Sequence, residues 1–151
     1  MRPGPAAGYR VRPAAQADLP GLAATASLPL AALDLCQVSG TLWAGVEAGD
    51  RAVAHLAAGD VDGSLHVLAL RVEEDHRRRG LGTALLAAAL AHARWAFYPA
   101  MSAASGPDAP GLERLLAAHG FLRLRPEAVG PGLRARLDAA PRGLTLLAKR
   151  L

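Results

Sequence analysis

The sequence predicts a mixed α/β (α+β) fold in which a mostly antiparallel sheet of about six to seven strands is flanked by about four helices. Three observations carry this prediction. Short apolar segments with strand-like patterns are separated by Gly/Asp turns, and they alternate with Ala- and Leu-rich segments at helical spacing. The chain has 151 residues, which suits a single domain over residues 1–151 that is large enough to bury a core.

The first half of the chain indicates a strand, two helices and an antiparallel meander. Residues 1–8 are expected to form a loose lead-in, and Asp18 is suited to cap the first helix. The meander follows from three strand-like segments joined by tight turns at 48–50 and 59–63. The predicted elements are strands at 9–13, 41–47, 51–58 and 65–72, and helices at 19–26 and 30–38.

The second half of the chain begins with a helix from residue 80 to about residue 94, apolar on nearly every face and so buried on more than one side. Gly120 marks the end of a later helix, since glycine favours the position that follows a helix. Residues 126–143 are expected to be irregular, with one or two helical turns within 133–139. The other predicted elements are strands at 97–103, 121–125 and 144–151 and a helix at 112–119.

The composition excludes several classes of protein. With 52% hydrophobic and 20% charged residues the chain is not of the disordered type. A nucleic-acid binder is expected to have a dense basic stripe with aromatic residues in it. This chain has a net charge of only +4 and 4% aromatic residues, so no nucleic-acid partner is predicted. Cys36 is the only cysteine, which argues against a disulfide or a thiolate metal site, and no metal is expected. The lack of a signal peptide or a long apolar span favours a cytoplasmic protein without a membrane partner.

A charged turn that leads into the long helix carries the clearest functional signal. The segment Arg77, Arg78, Arg79, Gly80, Leu81, Gly82, Thr83 lies where a strand passes into a helix. The first N–H groups of a helix lack internal partners and add to its positive end, so they stabilise a phosphate. Glycines let the phosphate approach the backbone, and arginines add forked contacts. The segment therefore predicts a diphosphate-binding turn.

The turn does not fit the two commonest nucleotide motifs. Gly82 is followed by Thr83 and Ala84, whereas a triphosphate loop would continue with Lys and Ser or Thr. A dinucleotide fingerprint would need a third glycine near Leu85 and an acidic residue about 20 positions further on, and both are missing.

Residues 72–86 resemble the acetyl-CoA signature of the GNAT N-acetyltransferase superfamily, in which Arg or Gln is followed after two residues by Gly, any residue, and Gly or Ala. Arg77, Gly80 and Gly82 fill that pattern. The surroundings are similar in the same order: the opening strand and helix at 9–19, the helix followed by Gly120-Phe121, and the final strand at 147–151. The resemblance covers nearly the whole chain.

The resemblance implies a transferase, an N-acetyltransferase that moves an acetyl group from acetyl-CoA, as co-substrate, to an amine of a small molecule or a protein. It implies that Leu70, Arg71 and Val72 pair their backbone with the pantetheine arm. A backbone N–H there would polarise the thioester carbonyl. The turn 77–83 would hold the diphosphate. The acceptor is left open, and so is a homodimer.

His66 is the candidate general base, because a base in this family often lies near the start of the central strand and histidine titrates near neutrality. The alternative is a half-buried strand histidine with a satisfied hydrogen bond. Glu73 is a second candidate. The general acid is unassigned, since Leu116 stands where many members carry tyrosine; Tyr98 fits a core position better, and His119 a helix end.

Two other functions remain open at this point. The leucine at position 116 is compatible with a catalytically silent acyl-CoA-binding regulatory module on the same fold. The cluster Arg77–Arg79 is compatible with nucleic-acid binding, which would depend strongly on salt and would compete with acetyl-CoA.

Overall fold

The computed structural model describes residues 5–26, 28–107, 109–139 and 143–151, which form seven strands and five α-helices. The strands are β1 (Arg10–Pro13), β2 (Leu42–Val46), β3 (Ala52–Val61), β4 (Ser64–Val72), β5 (Ala100–Ser105), β6 (Leu122–Arg123) and β7 (Thr145–Arg150). The helices are α1 (Leu19–Thr25), α2 (Leu30–Val38), α3 (Leu81–Trp95), α4 (Pro110–Ala118) and α5 (Pro131–Ala139).

The strands form a mixed sheet in the order β1-β2-β3-β4-β5-β7-β6, which confirms the predicted fold class. The pair β4/β5 is parallel, and the pairs β1/β2, β2/β3, β5/β7 and β6/β7 are antiparallel. The chain divides into two compact units. The first unit comprises Met1–Gly59 and Leu68–His92, and the second unit comprises Asp60–Val67 and Ala93–Leu151.

In the first unit, an antiparallel meander of β1, β2 and β3 shares an apolar core with α1 and α2. The register pairs Val11 with Gly45 and Leu42 with Ala57. Leu33 of α2 is completely buried. Helices of seven and nine residues are too short to be stable alone, so this burial is what holds them. The buried core residues are Ala14, Leu19, Leu22, Leu33, Cys36, Leu42, Ala44, Val46, Ala57 and Ala69.

Asp18 precedes α1 as predicted, but its carboxylate does not cap that helix. Its two oxygens accept hydrogen bonds from the Arg12 guanidinium at 2.7 and 3.0 Å, and one of them also accepts from the Ala15 N–H at 2.7 Å. The hydrogen-bonded guanidinium lowers the pKa of the Asp18 carboxyl. The aspartate therefore ties β1 to the turn before α1, because a forked cation offers more than a single helix N–H.

The second unit is built on β5, which pairs in parallel with the start of β4 and antiparallel with β7. The strand predicted at 97–103 begins only at Ala100, because Phe97 has a φ of 62° and is 91% exposed. The strand predicted at 121–125 is reduced to two residues, and α5 replaces part of the irregular segment 126–143, whose residues 140–142 lie outside the described part. Val61, Leu133 and Leu146 form a small core here.

The turn between β3 and β4 is shorter than predicted. Asp62 and Gly63 have φ values of 54° and 78°, so two left-handed residues form a hairpin turn of the kind that suits the twist of the strands. Gly59, expected in the turn, lies within β3, where a Cβ would approach the Leu68 side chain to 3.3 Å. That glycine serves close packing and not the turn.

Asp62 also anchors the start of α5. Its two carboxylate oxygens accept hydrogen bonds from the N–H groups of Gly132 and Leu133, at 2.8 and 3.0 Å. These N–H groups belong to the first turn of α5, which has no internal acceptor for them. A residue 70 positions away in the chain thus supplies the cap of this helix.

The Asp62→Gly variant is expected to lose about 1–2 kcal/mol of stability in the second unit, because it removes the cap while keeping a residue suited to positive φ. Asp62→Asn keeps an acceptor oxygen and also tolerates the left-handed conformation, so it should lose less than half as much. Urea unfolding with hydrogen exchange of the α5 amides measures the difference. Equal losses in both variants would contradict the capping role.

No helix in the described part of the chain combines the length and the apolar character needed to cross a membrane.

Candidate active site

The predicted diphosphate turn connects β4 to α3 through an unusual backbone path. A short 3-10 turn over Glu74–His76 is followed by Arg77 in an extended conformation. Arg78 and Gly80 then have φ values of 60° and 76°. A left-handed conformation costs a non-glycine residue about 1–3 kcal/mol and is retained where surrounding contacts enforce it. Strain of this kind at Arg78 marks the turn as a candidate site.

The backbone N–H groups at the start of α3 are available to a ligand. The Ala84 N–H donates to the Gly80 C=O at 3.0 Å, which is the first hydrogen bond of the helical ladder. The N–H groups of Leu81, Gly82 and Thr83 come before it and have no acceptor within the helix. Three adjacent donors at the positive end of a helix of 15 residues form a site for a phosphate group.

Three exposed arginines, Arg77, Arg78 and Arg79, precede these donors in the chain. The Arg77 Nε donates to the Val72 C=O at 3.2 Å, which holds its side chain against the end of β4. The guanidinium groups of Arg78 and Arg79 form no hydrogen bond or ion pair with any residue in the described ranges. Unpaired guanidinium groups next to free N–H donors favour a ligand with more than one phosphate.

Residues just before β1 form hydrogen bonds with the turn between β4 and α3. The Ala6 N–H donates to the Arg79 C=O at 2.7 Å, and the Tyr9 hydroxyl is hydrogen-bonded to His76 Nδ1 at 2.9 Å, with the two rings edge to face. His76 Nε2 lies 3.8 Å from the carboxylate oxygen Oε2 of Glu47. Residues 1–4 of the predicted loose lead-in lie outside the described residues. The described contacts of Ala6 and Tyr9 thus attach the chain before β1 to residues on both sides of Arg78.

At the end of β4, one edge of the strand faces β3, and the other edge has backbone N–H and C=O groups that point away from it. The Glu73 N–H donates to the Val53 C=O of β3 at 2.8 Å. Backbone groups of a strand alternate between its two edges, so Arg71 also turns its N–H and C=O toward β3. Leu70 and Val72 turn theirs to the opposite edge. Of the three predicted pantetheine contacts, Leu70 and Val72 therefore have backbone groups that face away from β3. Arg71 has its backbone groups on the β3 side and an exposed side chain.

His66, the predicted base, lies in the second unit and is 5% exposed. Its Nδ1 is hydrogen-bonded to the Ser102 hydroxyl at 2.9 Å. Burial and, to a smaller extent, the positive charge of Arg136 lower the pKa of His66 to about 4, and the Asp62 carboxylate opposes this shift. The imidazole is therefore neutral at pH 7 and is a weaker base than a histidine in water.

A second buried histidine, His55 on β3 in the first unit, was not among the predicted site residues. It is 1% exposed, and its Nε2 is a buried atom without a hydrogen-bond partner in the part of the chain that the structure describes. Burial and the nearby Arg71 lower its pKa to about 4. Spacing indicated only that residue 55 lies on a strand, so its missing partner could not be foreseen.

The candidates for the general acid have other roles. Leu116, at the position where the resemblance led us to expect a tyrosine, is fully buried in α4. His119 Nδ1 is hydrogen-bonded to the Leu115 C=O at 2.9 Å at the end of that helix. Burial, together with the Asp60 carboxylate, raises the pKa of Tyr98. The described residues also contain no cluster of His, Cys, Asp or Glu side chains that could hold a metal ion.

All the predicted coenzyme contacts, from Leu70 to Thr83, lie in the first unit, and His66 lies in the second. The model of the acetyltransferase (GNAT) family matches residues 10–121, about three quarters of the chain. The chain therefore belongs to the GNAT acetyltransferase family. No curated protein sequence matches it significantly.

Solved structures share the fold at low sequence identity. A GNAT-family acetyltransferase from Staphylococcus aureus Mu50 is 8% identical with a TM-score of 0.74, covering 95% of this chain and 99% of its own. Ard1 from Thermoplasma volcanium is 18% identical with a TM-score of 0.73, covering 95% and 98%. The putative acetyltransferase yncA from Salmonella typhimurium, solved with its cofactor acetyl-CoA, is 20% identical with a TM-score of 0.70, covering 95% and 94%.

Proposed function

We propose that this protein is an enzyme that transfers an acetyl group from acetyl-CoA to an amine. The observation that carries the proposal is the turn 77–83, where three N–H donors without helical acceptors lie beside unpaired arginines. A coenzyme A diphosphate matches this site in charge and in the number of acceptors. Family membership and the acetyl-CoA bound to the similar Salmonella protein support the same coenzyme.

The pantetheine arm is proposed to run along β4 as an added strand. Leu70 and Val72 carry N–H and C=O groups on the edge that faces away from β3, and these are the groups that an extended ligand can pair with. A backbone N–H at this edge would also bind the thioester oxygen and stabilise the negative charge that develops there. The Val72 C=O would exchange its contact with Arg77 for one with the ligand.

His66 is proposed to take the proton that the acceptor amine must lose. An ammonium group with a pKa of about 10.4 is not a nucleophile at neutral pH, so a proton acceptor accelerates the reaction. The imidazole of His66 is neutral at pH 7 and so has a lone pair for this proton, although its lowered pKa makes it a weaker base than a histidine in water. The departing thiolate is proposed to be protonated by solvent, since a thiol with a pKa of about 8.5 leaves readily.

The acceptor is proposed to be a primary amine of a small molecule or of a protein, in a cytoplasmic setting. Cys36 is a free thiol, which fits a reducing compartment. A broad amine screen addresses the acceptor most directly, because the turn 77–83 binds the donor and carries no information about the other substrate.

Isothermal calorimetry with acetyl-CoA tests the proposal. Binding in the micromolar range is expected, and acetyl-CoA at 100 times its dissociation constant should add about 2.7 kcal/mol to the stability of the protein. Release of the coenzyme thiol, measured across a panel of amines, should then identify an acceptor. No heat of binding at millimolar acetyl-CoA would contradict the proposal.

A second candidate function is a catalytically silent acyl-CoA-binding module, favoured by the buried Leu116 at the usual tyrosine position. This alternative predicts tight binding of acetyl-CoA without thiol release on any amine of the panel. Turnover that is lost in His66→Gln, with coenzyme binding retained, would rule the silent module out.

A further inference from the structure

Residues 6–9, just before β1, form a β-turn. The Tyr9 N–H donates to the Ala6 C=O at 3.1 Å, which closes this turn. Gly8 has a φ of 88°, whereas Ala7 does not have a positive φ. A left-handed third residue after an ordinary second residue is typical of a type II turn, and glycine suits that third position. The two ends of turn 6–9 are therefore held close together.

Turn 6–9 contacts the proposed coenzyme turn at two points. The Ala6 N–H donates to the Arg79 C=O at 2.7 Å. The Tyr9 hydroxyl is hydrogen-bonded to His76 Nδ1 at 2.9 Å, and the ring centroids of these two residues are 5.8 Å apart. Both turns belong to the first unit. The two contacts lie on either side of Arg78, the residue with a φ of 60°.

His76 is the side chain that attaches the loop after β4 to the rest of the first unit. Every other residue of the segment 74–80 is exposed, whereas the His76 side chain is 16% exposed. Its Nε2 lies 3.4 Å from an Arg51 guanidinium nitrogen and 3.8 Å from a Glu47 carboxylate oxygen. His76 is thus held between turn 6–9 and the connection from β2 to β3. An exposed loop with one anchored side chain depends on that anchor for its conformation.

The contact from Ala6 also orients a peptide unit of the coenzyme turn. The C=O and N–H groups of a trans peptide unit point in opposite directions. Because the Arg79 C=O points toward Ala6, the Gly80 N–H points away from it. This N–H donates to no residue in the described ranges, and it directly precedes the three donors at the start of α3. The contact therefore sets the direction of a fourth free donor.

We propose that turn 6–9 is a positioning element for the coenzyme, in which Ala6 and Tyr9 hold turn 77–83 in the conformation that receives the diphosphate. The proposal rests on the acetyl-CoA binding proposed above. A left-handed conformation is unfavourable for a residue such as Arg78, so without these contacts a larger part of the population would leave it. The apparent affinity for a ligand falls in proportion to the population of the conformation that binds it.

Tyr9→Phe tests the side-chain contact, because it removes the hydroxyl and keeps the ring. Calorimetry with acetyl-CoA, and with inorganic pyrophosphate as a competitor, should show both affinities weakened about fivefold, which is the effect of one hydrogen bond. Pyrophosphate restricts the measurement to the anion-binding turn. Tyr98→Phe removes the hydroxyl of the other tyrosine in the chain, in the second unit, and should bind both ligands as the wild-type protein does. Unchanged affinities in Tyr9→Phe would overturn the proposal.

A pair of proline variants tests the backbone contact. Ala6→Pro removes the N–H that donates to Arg79, so it should weaken both ligands by at least about fivefold. Ala7→Pro is the matched control. Its N–H donates to no residue in the described ranges, and proline is favoured at the second position of a type II turn. Equal affinities in the two variants would contradict the role of Ala6.

A purely structural role of Tyr9 would have a different signature. Tyr9→Phe would then lower the midpoint of thermal unfolding and leave both affinities unchanged, since binding is measured on folded protein. Combination with His76→Leu tests whether Tyr9 acts through His76. The double variant should bind no more weakly than the weaker of the two single variants, because the second change removes a contact that is already lost. Fully additive losses would overturn this part of the proposal.

The proposed function and the role of turn 6–9 fail in different ways. Wild-type protein that binds acetyl-CoA, with unchanged affinity in Tyr9→Phe and Ala6→Pro, would overturn the role of the turn and leave the coenzyme assignment intact. Wild-type protein that binds pyrophosphate and not acetyl-CoA would overturn the proposed function, and weaker pyrophosphate binding in the two variants would still support positioning of an anion site. Wild-type protein that binds neither ligand would overturn both.

Discussion

Gly82→Trp is expected to abolish detectable acetyl-CoA binding, with a loss of affinity of at least about 100-fold. Gly82 is the second residue of α3, and its N–H is one of the three donors that precede the first helical hydrogen bond. An indole at this position would cover these donors and occupy the space that a phosphate needs. Hydrogen bonds to a charged group contribute about 1.5–3 kcal/mol each, so losing two of them is sufficient for this effect.

The matched control for this variant is Gly111→Trp. Gly111 is the second residue of α4, directly after Pro110, and a Cβ there would meet nothing within 4 Å. The same change at the same helical position should leave coenzyme binding as in the wild-type protein. Calorimetry measures the acetyl-CoA affinity of both variants, and circular dichroism verifies that both are folded. Affinity of Gly82→Trp within threefold of wild type would show that the turn is not the coenzyme site.

The second large effect is a loss of stability as the pH falls from about 6.5 toward 4. His55 and His66 have their pKa lowered to about 4 in the folded protein, from 6.5 in the unfolded chain. Over this range the two histidines bind protons in the unfolded chain but not in the folded protein. The free energy of unfolding therefore increases with pH. Each histidine should remove roughly 2–3 kcal/mol between pH 7 and pH 4.

Urea unfolding between pH 7 and pH 4 measures this dependence. His55→Leu removes one contribution and His66→Gln the other, so each variant should show about half of the wild-type slope. The double variant should be nearly independent of pH above 4.5. A double variant with the full wild-type slope would assign the effect to other groups, such as Asp18, whose pKa is also lowered by its hydrogen-bonded guanidinium partner.

The regular elements of the chain were predictable where local signals were strong. Helix α2 spans Leu30–Val38 as expected, because Pro29 precedes it and Gly40 follows it with a φ of 75°. The strand with the coenzyme signature was placed within one residue of β4. Helix α5 was only partly foreseen, because its cap comes from Asp62 in a distant turn. Local spacing contains no information about such a partner.

In the candidate site too, the features formed by chain neighbours were predictable, and the features formed by distant residues were not. The turn 77–83 could be predicted because helix N–H donors, glycines and arginines that follow one another in the chain are also neighbours in space. The backbone direction that separates Leu70 and Val72 from Arg71 required the hydrogen bond between Glu73 and Val53. The hydrogen bond of His66 could not be predicted, because its partner Ser102 lies 36 positions away in the chain and belongs to no motif.

The sequence by itself therefore determined the fold class and the family resemblance, and it singled out residues 77–83 as the candidate anion-binding turn, since each depends on periodicity or on residues adjacent in the chain. Only the tertiary structure decided which backbone edge of β4 faces away from β3, that His66 is bonded to Ser102, and that His55 Nε2 is buried without a partner among the described residues. These properties arise from desolvation and from hydrogen bonds between distant segments, and such bonds exist only after the strands have paired.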